Sequence, residues 1–304
     1  MPTEVLWSIG ELAERAGVTV KTVRFYSDRG LLPEAARSAG GHRRYGHDAL
    51  DRLRTIRALR TLDLPVPDVG RVLDADGDLE GVVADRLRDI GTHLAALRWR
   101  EAALRLVHDC APEERAERLR LVGAVTVPPN TDALARFWRH WLPPRLPARV
   151  RSAVVEQAVP ALPDAPAPHQ VLAFARLHAF VTAPCPGGAT RDDCQPAAHR
   201  EPDGSRPAVL YTGLGEAFEL AAPAIRAGRT PGAGEALDCF VAAYAGASGM
   251  RDTPGFRAGL SHALAADPRI DRYWQLVTEL SSEPNPGTSH DWLRSALATQ
   301  TAAY

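Results

Sequence analysis

Between Arg15 and Arg60 the chain places eleven basic side chains: Arg15, Lys21, Arg24, Arg29, Arg37, Arg43, Arg44, Arg52, Arg54, Arg57 and Arg60. Only four acids, Asp28, Glu34, Asp48 and Asp51, share that stretch, an excess of seven positive charges over 46 residues. Such a field attracts phosphate, and cells present phosphate mostly as nucleic acid. A solvated arginine-rich surface has the same composition, so the elements that carry the charges must decide. Lysine occurs only at Lys21, so the choice of arginine over lysine reflects codon usage before chemistry.

Two other groups of residues bear on chemistry. Cys185 and Cys194, with His199 five residues on, are weak candidates for a metal or redox-sensing thiol pair. Eight residues separate the cysteines, which is not a common tight zinc spacing, so the expectation is no metal and no other cofactor. The second group is aromatic: Phe137, Trp138, Trp141, Phe174, Phe180, Phe218, Phe240, Tyr244, Tyr273, Trp274 and Trp292. Trp138, Trp141, Phe174, Tyr244 and Trp274 are the candidates to line an effector pocket, and ordinary core is the competing reading of each. No GxSxG, GxxxxGK[ST] or HExxH run occurs, so the expectation is that the protein is not an enzyme. A cryptic enzyme would have to use Cys185 with His178 or His199.

Composition bounds the rest. The 304 residues carry a net charge of −1, are 45% hydrophobic and 24% charged, which excludes wholesale disorder. There is no run of 18 apolar residues, no basic-then-apolar leader at Met1–Glu4, and there are four cysteines. These point to a protein without a membrane span or a disulfide scaffold, expected in the cytoplasm.

Ser8 with Glu11 three residues on forms a capping box for a helix over Ile9–Ala16. Gly17 breaks it, and Thr19 caps a second helix to about Arg29, with Val20 and Val23 inward and Lys21, Thr22, Arg24 and Tyr26 outward. Helix, three-residue turn, helix is a helix-turn-helix whose second helix can enter a major groove. Pro33, Gly40 and Gly41 then punctuate a hairpin wing bearing Arg37, Arg43 and Arg44. A third helix over Asp48–Leu62 buries Leu50, Leu53, Ile56 and Leu59, and Pro67 opens a fourth.

Beyond Asp78, Val83, Leu87, Ile90, Leu94 and Leu97 step by 4, 3, 4 and 3, and the stripe resumes at Leu104 after Glu101. A 3.5-residue repeat predicts a dimerising coiled-coil seam. Residues 113–304 divide into helices at 132–141, 147–159, 169–181, 216–227, 235–247, 256–265, 270–280 and 291–299, with 208–212 as the only short strand candidate. The predicted fold is mostly α: a winged helix-turn-helix over 1–75, a coiled-coil helix over 76–112 and an all-α domain over 113–304.

The runs Ile9-Gly10-Glu11-Leu12-Ala13, Ala16-Gly17-Val18, Thr22-Val23-Arg24-Phe25-Tyr26, Gly30-Leu31-Leu32 and Arg43-Arg44-Tyr45, with Leu50 through Leu62, resemble the head of the MerR family of transcription regulators. Ala35-Ala36, His42 and Pro67 depart from the family pattern. The resemblance implies a homodimer on an antiparallel coiled coil, and double-stranded promoter DNA contacted by Lys21, Thr22, Arg24, Tyr26, Arg37, Arg43, Arg44 and Tyr45. It also implies RNA polymerase at the same promoter, a distorted operator and an effector-sensing C-terminal domain. Phe256–Leu260 through Ala266–Trp274 is faintly similar to the thiopeptide-antibiotic-binding domain of some members, implying a small, drug-like effector. The Cys185–Cys194 segment resembles the metal loops of other members but lies far from the rod's end, where only Cys110 stands, so a metal- or thiol-responsive regulator is the alternative.

Overall fold

The structure, a computed structural model, describes residues 5–74, 77–183, 205–264, 268–281 and 283–302. It forms two compact units, Met1–Thr92 and His93–Tyr304.

In the first unit, helix α1 (Ile9–Ala16) starts at the capping box expected from sequence. Ser8 Oγ accepts from the Glu11 amide, and the Glu11 carboxylate accepts from the Ser8 amide at 2.7 Å. That pair of bonds holds the Glu11 carboxyl below its ordinary range. Gly17 ends α1 at φ 64°, a left-handed conformation that glycine adopts without the Cβ penalty. Thr19 then accepts from the Thr22 amide and starts α2 (Val20–Asp28). Strands β1 (Trp7–Ser8), β2 (Ala36–Arg37) and β3 (Arg43–Tyr45) form an antiparallel sheet in the order β1-β3-β2. Gly41, at φ 78°, turns the β2–β3 hairpin. Helices α3 (His47–Thr61) and α4 (Val66–Leu73) complete the unit. Pro67 sits in the first turn of α4, where no amide donor is required. Leu12, Val23, Tyr45, Leu53, Ile56 and Val69 are fully buried in one core.

Helix α5 (Leu79–His108) runs through the division between the units. The second unit continues with α6 (Arg115–Gly123), α7 (Asp132–Trp141), α8 (Ala148–Ala158), α9 (Pro168–Thr182), α10 (Pro207–Arg226), α11 (Glu235–Ser248), α12 (Pro254–Ala263), α13 (Pro268–Leu280) and α14 (Pro286–Thr301). Among the described residues its regular elements are helical, as predicted, with one correction. Residues 208–212, read from sequence as a short strand, are the first turns of α10. Leu210, Leu214, Ala217 and Ala221 are all buried on one face of that helix, and helical spacing over 20 residues overrides a five-residue strand pattern. Helix α6 was not anticipated at all.

Two cores hold this unit. One gathers Trp99, Ala102 and Leu106 of α5 with α7, α8, α9 and α13 around Trp138, Phe174 and Tyr273. The other packs α10, α11, α12 and α14 around Phe240, Val241 and Leu293.

Arg257 ties three helices of the second core together. Its guanidinium donates twice to Asp252 at 2.8 and 2.6 Å, to Asp238 at 2.8 Å and to Gln300 at 2.7 Å. Arg257→Ala removes the fork of a largely buried arginine that joins three helices, so unfolding stability is expected to fall by about 1–2 kcal/mol. The arginine's hydrogen bonds hold the Asp252 carboxyl below its usual range. A carboxylate depressed in the folded state contributes stability above its unfolded pKa and loses it as pH falls through the folded value. The wild-type advantage over Arg257→Ala in denaturant melts is therefore expected to be full at pH 7 and to shrink only in acid, below the ordinary aspartate range. An advantage independent of pH would assign the effect to lost packing instead.

Candidate nucleic-acid interface

The recognition helix α2 shows how the eleven basic residues divide. Val23 and Tyr26, three residues apart, form its buried face, so Lys21 and Arg24 are forced outward and both are exposed. Most of the remaining cations are committed within the unit. Arg15 lies over the Trp7 ring at 4.6 Å and Arg29 over Phe25 at 4.3 Å. Arg37 pairs with Glu34 at 2.7 Å, Arg43 with Asp28 at 2.5 Å and Glu34 at 3.3 Å, and Arg54 with Asp51 at 3.1 Å. Arg52 donates to the carbonyls of Leu31 and Leu73, Arg57 to that of Ala16, and Arg60 to that of Leu64. Lys21, Arg24 and Arg44 alone make no ion pair, ring contact or side-chain hydrogen bond among the described residues.

This sorting separates structural arginines from available ones. Arg52 and Arg57 are tethers between helices, which a charge count along the sequence cannot reveal. Arg43 is restrained against Asp28, which raises its affinity for the proton further, but its pairs are partly exposed. Such pairs exchange readily for a phosphate, because a surface ion pair contributes little by itself.

Three sequence expectations are corrected here. Tyr26 is buried at 9% exposure, not outward, because it shares the Val23 face. Tyr45 is fully buried and its hydroxyl donates to Ser27 Oγ at 3.0 Å, joining the wing to α2. Both rings are therefore packed in the core of the unit and not presented at its surface. Val20, expected inward, is 40% exposed in the first turn of α2. Thr22 is half-buried beside its cap partner Thr19. Sequence reasoning passed over Phe25, which is 41% exposed under Arg29. Its position one residue before Tyr26, off the buried face, was the available clue.

The aromatic candidates divide between the two cores of the second unit. Trp138 packs against Trp141 at 5.1 Å and Trp274 at 5.4 Å between ring centroids, and Phe174 packs against Trp99 at 5.6 Å. Tyr244 belongs to the other core, against Phe240 and near His290. The five rings therefore do not surround one space. Trp274 lines a surface recess of about 460 Å³ with Asp271, Gln275, Thr278, Glu279, Thr288, Asp291 and Arg294. Cys185, Cys194 and His199 lie outside the described residues. Cys110 is buried, and Cys239 is half-buried with its thiol pushed up by burial and then by Glu216 and Glu235. Among the described residues no group of three metal-ligating side chains is placed to hold an ion, and no helix is long and apolar enough to cross a membrane.

Residues 7–76 match the family described as MerR HTH family regulatory protein. Nodulation protein NolA of Bradyrhizobium sp. (strain NC92) is 37% identical over 94 residues, 31% of this chain and 40% of NolA. HTH-type transcriptional activator TipA of Streptomyces coelicolor is 47% identical over 68 residues, 22% of this chain and 27% of TipA. The chain thus spans well under two thirds of these two relatives. HTH-type transcriptional regulator ZntR of Escherichia coli (strain K12) is 30% identical over 112 residues, which are 34% of this chain and 79% of ZntR. With the head, wing and recognition helix in place and most of one regulator matched, the chain belongs to the MerR family of helix-turn-helix transcriptional regulators.

Proposed function

We propose that this regulator acts as a homodimer that grips a two-fold symmetric promoter site through two heads and distorts it when an effector binds the second unit. The observation that carries the dimer is the second apolar face of α5. Trp99, Ala102 and Leu106 lie within an arc of about 60° and are buried in the chain's own core. Trp99 fixes that face by donating its indole N–H to the Pro163 carbonyl at 3.1 Å. Leu97 and Leu104 fall about 140–160° around the helix from Trp99 and are 54% and 71% exposed. With Leu87, Ile90 and Leu94 at 65%, 47% and 43% exposure and half-buried Val83, they form a heptad seam that has no partner among the described residues of one chain. A second copy supplies one, as an antiparallel coiled coil.

On DNA, Arg24 and Lys21 from α2 face the groove, with Thr22 beside them. Arg44, Arg37 and Arg43 from the wing take phosphates that fix register, while Tyr26 and Tyr45 hold the two elements together from behind. RNA polymerase meets the same promoter, and backbone contacts supply the free energy of deformation.

The effector is a small, drug-like molecule. Support comes from the faint antibiotic-domain similarity across 256–274 and from the recess at Trp274, where a rigid aromatic wall meets carboxylates. Trp138 backs that wall from the core, with Trp141 packed behind it, and Phe174 belongs to the same core. A thermal-shift panel of metals and amphiphilic drug-like compounds tests this reading, since any ligand of the folded state raises the melting temperature. At 100 times Kd the gain is about 2.7 kcal/mol. The expected result is an organic stabiliser whose shift is lost in Trp274→Ala. A metal shift lost in Cys185→Ser or Cys194→Ser would replace it with the metal-responsive alternative.

A further inference from the structure

The second unit has a positive surface of its own. From Ala133 to Val155 the chain carries Arg136, Arg139, Arg145, Arg149 and Arg151 and no acidic residue. Arg139 and His140 occupy the last turn of α7, Arg145 the short connection, and Arg149 the first turn of α8, so they crowd one helical corner. Arg136, Arg139, Arg145 and Arg149 are all exposed. The unit's ion pairs to arginine fasten Arg105, Arg118, Arg226, Arg257 and Arg294, and none of the four corner arginines has a partner among the described residues. Arg151 builds the corner instead of facing solvent: its guanidinium donates to the carbonyls of Pro144 at 2.8 Å and Leu146 at 2.9 Å.

Fold stability does not explain this arrangement. Arginines in the last turn of a helix are favoured by its dipole, which accounts for Arg139. Arg149 stands at the opposite end, in the first turn of α8. There the dipole disfavours a cation, the first turn has no acid, and Pro147 provides no side-chain cap. The corner therefore sums positive side chains with a helix N-terminus that has no side-chain cap, an arrangement that favours oxyanions.

We propose that the α7–α8 corner is a second phosphate-binding surface that grips the backbone of duplex DNA outside the stretch read by the heads. The absence of apolar surface selects this partner. No large apolar side chain stands exposed among the described residues between Val127 and Val209. A protein interface needs a desolvated apolar centre with anchors, and the corner has none. A polyanion needs only charge and donors. The inference rests on the DNA-binding reading of the head.

The test uses the full chain and a 40-bp duplex of arbitrary sequence, with anisotropy followed across a salt titration. Each phosphate neutralised on B-DNA contributes about 0.9 to the slope of log Kobs against log[salt]. Arg139→Gln/Arg145→Gln/Arg149→Gln is expected to reduce that slope by about 2–3 per chain with an unchanged melting temperature, and the triple lysine variant to restore it. An unchanged slope in the glutamine variant, beside a wild-type slope that still falls with Arg44→Ala, overturns this surface and leaves the head reading standing. No wild-type binding at any salt overturns both. Loss of binding to phosphatidylglycerol vesicles with the duplex slope intact overturns the proposal in favour of a lipid surface.

Discussion

Arg24→Ala is expected to weaken binding to a selected operator by about 1–3 kcal/mol, roughly 5- to 150-fold, and to relax preference at one or two base pairs. Arg24 projects from the middle of α2 opposite Val23 and Tyr26, is exposed, and has no competing carboxylate or ring. Its guanidinium is therefore available at no cost in broken contacts. Arg44→Ala is expected to behave differently. Placed on β3 beside the head of α1, where its charge also helps to depress the Glu11 carboxyl, Arg44 is proposed as a phosphate contact. Its loss should weaken all sequences alike and lower the salt slope by about 0.9 per site. Arg52→Ala provides the contrast. Its donations to the Leu31 and Leu73 carbonyls make it a stability residue, so its defect should appear in melting temperature before it appears in affinity. Anisotropy titrations on matched and mismatched duplexes at two salt concentrations separate the three behaviours. Equal affinity of wild type and Arg24→Ala for the operator would remove Arg24 from the interface.

The second large effect concerns α5. Leu94→Glu/Leu97→Glu places two carboxylates in the middle of the exposed seam, four across a symmetric dimer. Removing four leucines from a packed interface costs on the order of 6 kcal/mol at about 1.5 kcal/mol each, roughly four decades in Kd, before charge repulsion is added. Light scattering at micromolar concentration is expected to show a dimer for wild type and a monomer for the variant. The variant should keep its fold, because both leucines are 43% or more exposed in the single chain and lie away from the Trp99 face. Leu62→Glu is the control: Leu62 is 63% exposed at the end of α3, outside the seam, and its substitution should leave the dimer intact. A wild-type monomer, or a dimeric double variant, would defeat the pairing through α5.

The head was legible because its elements are punctuated locally. Ser8 with Glu11, Gly17 and Thr19 act within three or four residues of one another, and each does in the structure what its chemistry dictates. The individual site was less legible. Which arginines are free depends on partners distant in sequence: Arg57 reaches the Ala16 carbonyl across 41 positions and Arg43 reaches Asp28 across 15. Tyr26 was misread despite a local clue, since a residue three after Val23 had to share its buried face. Tyr45 could not be placed without the register Trp7↔Tyr45 that buries it.

In the second unit helix content followed from periodicity, but pocket and core were indistinguishable. Trp138 and Tyr244 have the same composition signature, yet they belong to different cores. The strand reading of 208–212 failed because five residues cannot distinguish a buried strand from the first turn and a half of a longer helix. The α5 stripe shows the converse: its heptad was plain in sequence, while the opposite docked face at Trp99, Ala102 and Leu106 emerged only with the fold.

On the proposed function, two copies of this chain read one two-fold site. The most direct test is selection of duplexes from a random pool by the full chain, with the mass of the recovered complex measured. Two chains on an inverted repeat, with half-sites about one helical turn (roughly 10 bp) or a multiple of it apart, is the predicted result, and that repeat should fail to enrich with Arg24→Ala. A single asymmetric motif bound by one chain, or no enrichment over the starting pool, would rule out paired heads on a two-fold site.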